Sequence, residues 1–401
     1  MWAPRSAAHG REIPKCNPLQ PLLPPCARQK LCYTTAWRGF HLPERNQGVI
    51  GLIRKIGILT SGGDSPGMNA AVVSVARCAA AHDIQLMGIK RGYNGLLGLS
   101  ENPEDDIAAL DLETVLDIAD QRGTFLRTAR CDEFKKPEVQ RQCADNLRKI
   151  GIDALVVIGG DGSFNGAMHL CELGIPCVGI PGTIDNDLGY TEATLGYDTA
   201  VNVCVEAVRS IRATSRSHDR PAVVQVMGRN SGDIAMKTAM ATGAEMVVVP
   251  EMDWDVDVLA ARLNGLIAKG NTRATLVIGE HCWHKMKEFD WRKFLNDNGK
   301  VVYPGEPINA ERLASILKRK CGGIEARATV IGYTQRGAQP TAQDSAFAFE
   351  AGHLAVQLLN RGITNQAIGI RHGRVFNMPF ADALMMKKHF DRETYELINS
   401  L

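Results

Sequence analysis

The apolar positions of this chain fall into short unbroken runs, and most of the runs end in a turn rich in glycine and acids. Lys55-Ile-Gly-Ile-Leu-Thr60 is the first, followed by Ser61-Gly-Gly-Asp-Ser-Pro-Gly-Met-Asn69 and a helical pattern over 70–81. The same order returns with Asp153-Ala-Leu-Val-Val-Ile158, the turn Gly159-Gly-Asp-Gly-Ser163 and a helix predicted over 165–173. A third run, Cys177-Val-Gly-Ile180, ends in Pro181-Gly-Thr-Ile-Asp-Asn-Asp187. Val223-Val-Gln-Val-Met227, Thr275-Leu-Val-Ile-Gly279 and a short stretch from Arg327 read as further strands. Runs of this length without alternation are expected of parallel strands covered on both faces. Residues 1–50 break the pattern, with seven prolines and no amphipathic period. They read as a disordered extension, in preference to a targeting segment or a partner-binding arm, and are left out of the fold.

Composition narrows the picture. The 401 residues fit two domains at roughly 150 residues each. The formal net charge is +2, but residues 1–50 hold seven basic groups against two acids, so the remainder carries 39 against 42 and is net −3. A general nucleic-acid or membrane-surface binder is therefore not expected, and any phosphate must be met by a local patch. Eleven cysteines occur with no CxxC pair, which points away from a disulfide framework or structural zinc and toward reduced thiols in the cytoplasm. No apolar run reaches the length of a membrane span.

The turns carry the chemistry. Glycines between a strand and a helix start let backbone amides approach an anion, and the helix dipole favours negative charge there. Asn165 spoils the dinucleotide fingerprint around Gly160-Asp-Gly162, and no GxxxxGK[ST] sequence exists, so a Rossmann dehydrogenase and a P-loop ATPase both lose ground. Three predicted strands release Asp64, Asp161, Asp185 and Asp187 at their carboxyl ends, where open α/β sheets bind ligands. Acids beside phosphate-cradling glycines point to Mg²⁺. Arg229 and Arg336 follow further strands, and Arg220 and Arg327 lie near the starts of theirs; arginine forks suit phosphate. His281, Cys282 and His284 resemble a metal cluster, but lack the further ligands of a closed site.

Taken in order, Thr60–Asn69, Gly159–Ser163, Pro181–Asp187 and Met227-Gly-Arg229 resemble the ATP-dependent 6-phosphofructokinases of bacterial type, and the resemblance runs from Lys55 to the C-terminus. It implies an α/β fold of two three-layer αβα lobes with mostly parallel sheets and a site in the cleft between them. The ATP-binding lobe would be 54–196 plus 335–385, and the sugar-phosphate lobe 197–334 plus 386–401. The implied reaction moves the ATP γ-phosphate to the 1-hydroxyl of fructose 6-phosphate, with Asp185 as base, Thr183 and Asp187 beside it and Arg229 stabilising the transferred group. Gly63, Arg130, Cys131, Gly160, Asp161, Gly162 and Ser163 match ATP positions, with Asp161 the Mg²⁺ residue. Thr183, Ile184, Asp185, Met227, Gly228, Arg229, Glu280, Tyr333 and Arg336 match sugar-phosphate positions. Arg220 and Arg327 match arginines supplied by a neighbouring subunit, which implies a homo-oligomer, expected to be a tetramer.

The match is incomplete in places. Tyr333 stands where ATP-dependent relatives usually place histidine and looks more like the pyrophosphate-dependent ones, whereas Gly162 and Gly182 leave the room that ATP needs. The stretch between Glu280 and Arg327 is longer than in short bacterial enzymes, and reads as a surface insertion with Trp283, Trp291 and Asn296-Asp-Asn-Gly299. Arg77, Arg212, Glu245 and Lys269 match effector positions, but Val73, Leu112, Asn271 and Thr272 do not, so weak or absent activation by ADP is expected. The alternatives are a pyrophosphate-dependent enzyme and a catalytically silent regulatory subunit that binds sugar phosphate.

Overall fold

The computed structural model describes residues 53–98, 105–287 and 309–400. The expected extension over 1–50 lies outside the described residues, as do Trp291 and Asn296–Gly299. Trp283 lies inside them and is no part of a surface insertion: it is buried edge-on against Trp254, ring centroids 5.9 Å apart.

The chain opens with β1 (Lys55–Thr60), α1 (Met68–Ala81), β2 (Gln85–Ile89), β3 (Ile107–Ala109), α2 (Leu112–Val115) and α3 (Pro137–Ile150). It continues with β4 (Ala154–Gly159), α4 (Asp161–Glu172), β5 (Cys177–Pro181), α5 (Tyr197–His218), β6 (Ala222–Val226), α6 (Asp233–Thr242) and β7 (Met246–Val248). Next come α7 (Val256–Ala268), β8 (Thr275–Gly279), α8 (Ala310–Lys320), β9 (Arg327–Val330) and α9 (Ala342–Asn360). The last elements are β10 (Gln366–Arg371), β11 (Arg374–Pro379), α10 (Phe380–Met385) and α11 (Arg392–Ser400).

Two sheets result, in the mostly parallel α/β arrangement expected. The larger runs β11-β10-β5-β4-β1-β2-β3, parallel except for the antiparallel edge strands β11 and β3. The smaller runs β7-β8-β6-β9 and is parallel throughout. Every residue of β4 is buried, because α1 and α9 pack together on one face of the large sheet while α3, α4 and α10 cover the other. The small sheet lies between α5, α6 and α11 on one side and α7 and α8 on the other. The chain crosses from one sheet to the other three times, through α5, through the segment from β9 to α9, and through the segment from α10 to α11.

Two local features aim the site. From β1 the chain moves through α1 to β2, and from the neighbouring β4 through α4 to β5 on the opposite side. The sheet therefore reverses direction between β1 and β4, which leaves a crevice at their carboxyl ends. A Cβ on Gly159 there would lie 2.4 Å from Ser163 Oγ and 2.6 Å from the Ser61 carbonyl oxygen, so only glycine lets the two turns close on each other. Second, α5 and α9 cap each other. Asp344, in the first turn of α9, accepts from the backbone N–H of Gly196 (2.9 Å) and Thr199 (2.8 Å) and from the Thr199 hydroxyl (2.6 Å). In return Asp198, in the first turn of α5, accepts from the α9 N-cap Thr341 at 2.6 Å. Orphan donors at the start of α5 are thereby satisfied, while at α9 the Thr341 Oγ1 held by Asp198 accepts from the Asp344 N–H at 3.3 Å.

Candidate active site

The loop from β5 to α5 carries the acids. Asn186 shapes it by adopting a left-handed conformation (φ 49°) that asparagine tolerates better than most residues. Its amide donates to Asp233 Oδ2 at 2.8 Å and its Oδ1 accepts from the Thr194 N–H at 3.1 Å. Thr194 Oγ1 in turn donates to the Thr183 carbonyl at 2.5 Å. Within this frame the Asp185 N–H donates to Thr183 Oγ1 (3.2 Å), and Ile184 is buried in the core of the small sheet. Asp185 itself is 8% exposed, and its Oδ1 has no hydrogen-bond partner. Burial, with the charges of Asp187 and Glu280 adding to it, pushes its carboxyl up to about 6 against the pull of Arg336 and Arg229. Asp187 is raised too, first by burial and then by Asp161, while Arg229 and Lys388 oppose. Asp187, Glu280, Arg229 and Arg336 are thus in electrostatic reach of Asp185, and Asp161 and Arg229 of Asp187.

The glycine turns form the floor. Helix α4 begins at Asp161, earlier than expected, because the Gly160 carbonyl already accepts from Ser163 N (3.0 Å) and Phe164 N (3.1 Å). Asp161, Gly162 and Ser163 therefore lie in the first helical turn, where free N–H groups face outward. A Cβ on Gly162 would meet nothing within 4 Å, so the floor is open there. Ser163 Oγ donates to the Ser61 carbonyl at 3.3 Å and the Ser163 carbonyl accepts from Tyr93 at 2.6 Å, which ties the turns after β1 and β4 together. The segment bearing Arg130 and Cys131 runs alongside, held by Gly62 N to Ala129 O (3.2 Å) and Thr128 Oγ1 to Gly62 O (3.0 Å). Cys131 is half-buried, and burial raises its thiol. Arg336 reaches across from beyond β9, donating to the Asp64 carbonyl at 2.7 Å close to Gly63.

The opposite wall comes from the small sheet. Gly228 (φ 136°) and Arg229 (φ 54°) turn the chain sharply after β6. The Arg229 N–H donates to Glu280 Oε1 at 2.9 Å, and the Met227 N–H to Gln335 Oε1 at 2.8 Å. Met227, Glu280 and Tyr333 line a shallow pocket of about 220 Å³, from which Tyr333 stands out 83% exposed. Arg220 and Arg327 are elsewhere. They precede β6 and begin β9, at the amino ends of parallel strands whose carboxyl ends carry Met227, Arg229 and Glu280. Both pair with Glu325 (2.9 and 3.1 Å) and line a separate cavity of about 490 Å³.

Sequence reasoning missed Gln335, Asn186 and Tyr93. Gln335 is fully buried and holds Met227, and its Nε2 has no partner; a polar residue inside Tyr-Thr-Gln-Arg was the signal available. Among the described residues no group of three or more His, Cys, Asp and Glu side chains gathers as a metal site. Mg²⁺ asks for less, one or two carboxylates with the rest from water and phosphate. Asp161 at the open helix start, with Asp187 in electrostatic reach and the unpartnered Asp185 Oδ1 beyond, fits that demand. His281 bonds Asn230 (3.0 Å) and Cys282 donates to the Gly279 carbonyl (2.9 Å).

A seat for phosphate, open beside a buried carboxylate that can take a proton and facing an arginine, is the equipment of a phosphotransferase. The phosphofructokinase family model matches residues 55–359. ATP-dependent 6-phosphofructokinase 1 of Clostridium perfringens is 42% identical over 349 residues, 87% of this chain and 99% of that protein. The chain belongs to the phosphofructokinase family. Phosphofructokinase from Saccharomyces cerevisiae superposes with a TM-score of 0.71 at 29% identity, over 86% of this chain and 50% of the yeast chain. A pyrophosphate-dependent phosphofructokinase from Marinobacter aquaeolei superposes with a TM-score of 0.69 at 18% identity, over 86% of this chain and 91% of that one, a likeness of fold. No helix among the described residues is long and apolar enough to cross a membrane.

Proposed function

We propose that this protein is an ATP-dependent 6-phosphofructokinase, transferring the γ-phosphate of ATP to the 1-hydroxyl of fructose 6-phosphate. The observation that carries the reading is Asp185, a nearly buried carboxylate with one oxygen unpartnered, in electrostatic reach of Arg229 and Arg336. The identity to ATP-dependent relatives along 87% of the chain supports it.

In this reading the floor of Gly63, Gly160 and Gly162 seats the nucleotide phosphates on backbone N–H groups, with Ser163, Arg130 and Cys131 beside them. Asp161 would hold Mg²⁺, which would supply positive charge to offset that of the phosphates. The sugar phosphate lies against Met227, Gly228, Glu280, Tyr333 and Arg336. Asp185 accepts the proton of the 1-hydroxyl as its oxygen attacks the γ-phosphorus, and Thr183 orients the Asp185 backbone. Arg229 meets the charge that develops on the transferring group, where a fixed donor contributes most. Asp187 keeps the acid cluster negative enough to hold the metal. Arg220 and Arg327 face away from this centre in their own subunit, so they serve a neighbour's sugar phosphate, and the working unit is a homo-oligomer in the cytoplasm.

The open space at Gly162 favours ATP over pyrophosphate, because nothing there stands in for the α-phosphate. A coupled assay of the purified protein with fructose 6-phosphate, comparing ATP with pyrophosphate, tests donor and activity together. Turnover with ATP is expected; turnover with pyrophosphate alone reverses the donor, and none with either supports a silent regulatory subunit.

A further inference from the structure

The turn that carries Arg229 is held from both ends. Gly228 (φ 136°) and Arg229 (φ 54°) reverse the chain after β6, and the Ser231 N–H closes the turn on the Gly228 carbonyl at 2.8 Å. A Cβ on Gly228 would lie 2.5 Å from the Ser231 carbonyl oxygen, so the turn admits no side chain there. At the near end the Arg229 N–H donates to Glu280 Oε1 (2.9 Å), and Asn230 Oδ1 meets His281 Nδ1 (3.0 Å), both partners following β8. At the far end the Gly232 N–H donates to Glu251 Oε1 at 2.8 Å. Glu251 follows β7, and the order β7-β8-β6 means that it reaches the turn from two strands away.

We propose that Glu251 is a positioning residue for phosphoryl transfer, fixing the turn that presents Arg229, a role that depends on Arg229 meeting the transferring group as proposed above. A residue other than glycine at φ 54° sits in a sparsely populated conformation, which persists only where the surroundings impose it. The bond from Ser231 to Gly228 lies inside the turn and can move with it. The Glu280 bond fixes only the near end, so an anchor beyond Ser231 is needed to keep the turn from unwinding. Glu251 supplies that anchor from a packed strand end, where Val249 is fully buried. A Cβ on Gly232 would lie 2.6 Å from Val249 Cβ and 2.8 Å from Glu251 Oε2, so only glycine lets the end of the turn close on this anchor.

The choice of residue fits that role. Gly232 is the N-cap of α6 and has no side chain with which to cap it, so the acceptor must come from elsewhere in the chain. A carboxylate at a helix start is favoured by the helix dipole. Its cost is visible too: Glu251 Oε2 is buried without a partner, and burial raises the carboxyl while the Gly232 N–H opposes. A long side chain with an acid at its tip is thus kept under cover for one bond to the backbone of the Arg229 turn. A residue that only capped α6 would change stability and leave the chemical step alone, which separates the two roles by kinetics.

The test is a kinetic cycle on the whole purified enzyme with ATP and fructose 6-phosphate. Glu251→Leu removes the acceptor and should lower kcat roughly 10–10²-fold while KM for ATP changes little. Glu251→Gln keeps an oxygen for the Gly232 N–H and should restore most of kcat. In an Arg229→Ala background Glu251→Leu should have little further effect on kcat, because the arginine it positions is gone and the two losses no longer multiply. Where Glu251→Leu fails to fold, Glu251→Asp, one methylene shorter, takes its place in the same cycle. An unchanged kcat in the folded variant would overturn the proposal. So would losses that multiply fully with Arg229→Ala, which would place the effect at the start of α6 or at the Asn186 contact of Asp233 instead. Normal kcat in Arg229→Ala alone would remove the role of Arg229 itself, and this proposal with it, so the two failures are told apart.

Discussion

As the proposed base, Asp185 would meet two opposing demands, burial that excludes water from a reactive phosphate and a negative charge that must be available to take a proton. Burial pushes its carboxyl from 3.8 to about 6. The base form is thus present above about pH 6 in the free enzyme, and kcat/KM should fall on an acid limb centred there, as read from a pH–rate profile. The linkage to stability has the opposite sense: the folded state holds this proton more tightly than the unfolded one, so the cost of the buried charge appears as pH rises from 3.8 through about 6. Asp185→Asn should bind nucleotide normally in a titration while turnover drops roughly 10²–10⁴-fold. Near-normal turnover would remove Asp185 from the base role. Arg229→Ala should lower kcat by about 10²–10³-fold, with a smaller change in KM, since its charge is needed most as the phosphoryl group moves. Its backbone already sits in the left-handed region at φ 54°, so the expression level of this variant needs checking first.

Helices α5 and α9 show how an element far from the substrate can position one near it. The Asp344 carboxylate satisfies three donors at the start of α5, directly after the loop that ends the acid-bearing segment. Asp344→Ala leaves those donors buried and unpaired, and should cost about 3 kcal/mol, measured as a lower midpoint in denaturant. At this scale the chain was partly readable. The buried run of β4 announced itself because a strand covered on both faces needs no polar positions. The start of α4 did not, because Gly-Asp-Gly-Ser has the composition of a turn, and its helical hydrogen bonds depend on a close approach to β1 that only the folded sheet supplies. The β10–β11 hairpin was equally silent. Its tight turn is made by His372 (φ 51°) and Gly373 (φ 69°), a pair less distinctive than the Asn-Gly usual there. The acids of the site were legible because they stand at strand ends; Gln335 was not, since its importance lies in one bond to the Met227 amide across the sheet.

At the scale of the whole molecule, Arg220 and Arg327 stand at the amino ends of strands whose carboxyl ends carry the site, and their proposed role as neighbour-supplied groups has a direct check. Asp185→Asn and Arg327→Ala should each be nearly inactive alone, and a co-expressed mixture should recover more activity than the two added, because some hybrid sites receive an intact set. No recovery would confine each site to one subunit. The residues that match effector positions by resemblance are engaged from within: Glu245 receives Arg212 (3.2 Å), the Asn271 amide (3.0 Å) and the Thr275 N–H (2.7 Å), and Arg77 stacks 5.3 Å from the Phe349 ring. Fructose 6-phosphate saturation should therefore be unchanged by ADP, and a marked left shift would show that a ligand can break this network.

The three passages of the chain between the sheets bear on how the molecule responds to being cut. Two bodies tethered by one strand separate after a single nick, whereas here a protease that severs one passage leaves two covalent ties and both packed cores in place. Limited proteolysis should yield fragments that part on a denaturing gel yet travel together on a sizing column. The same wiring should resist twist, since three covalent ties restrict rotation of one sheet against the other more than one tie does, which favours a phosphate floor and an arginine wall that keep their register.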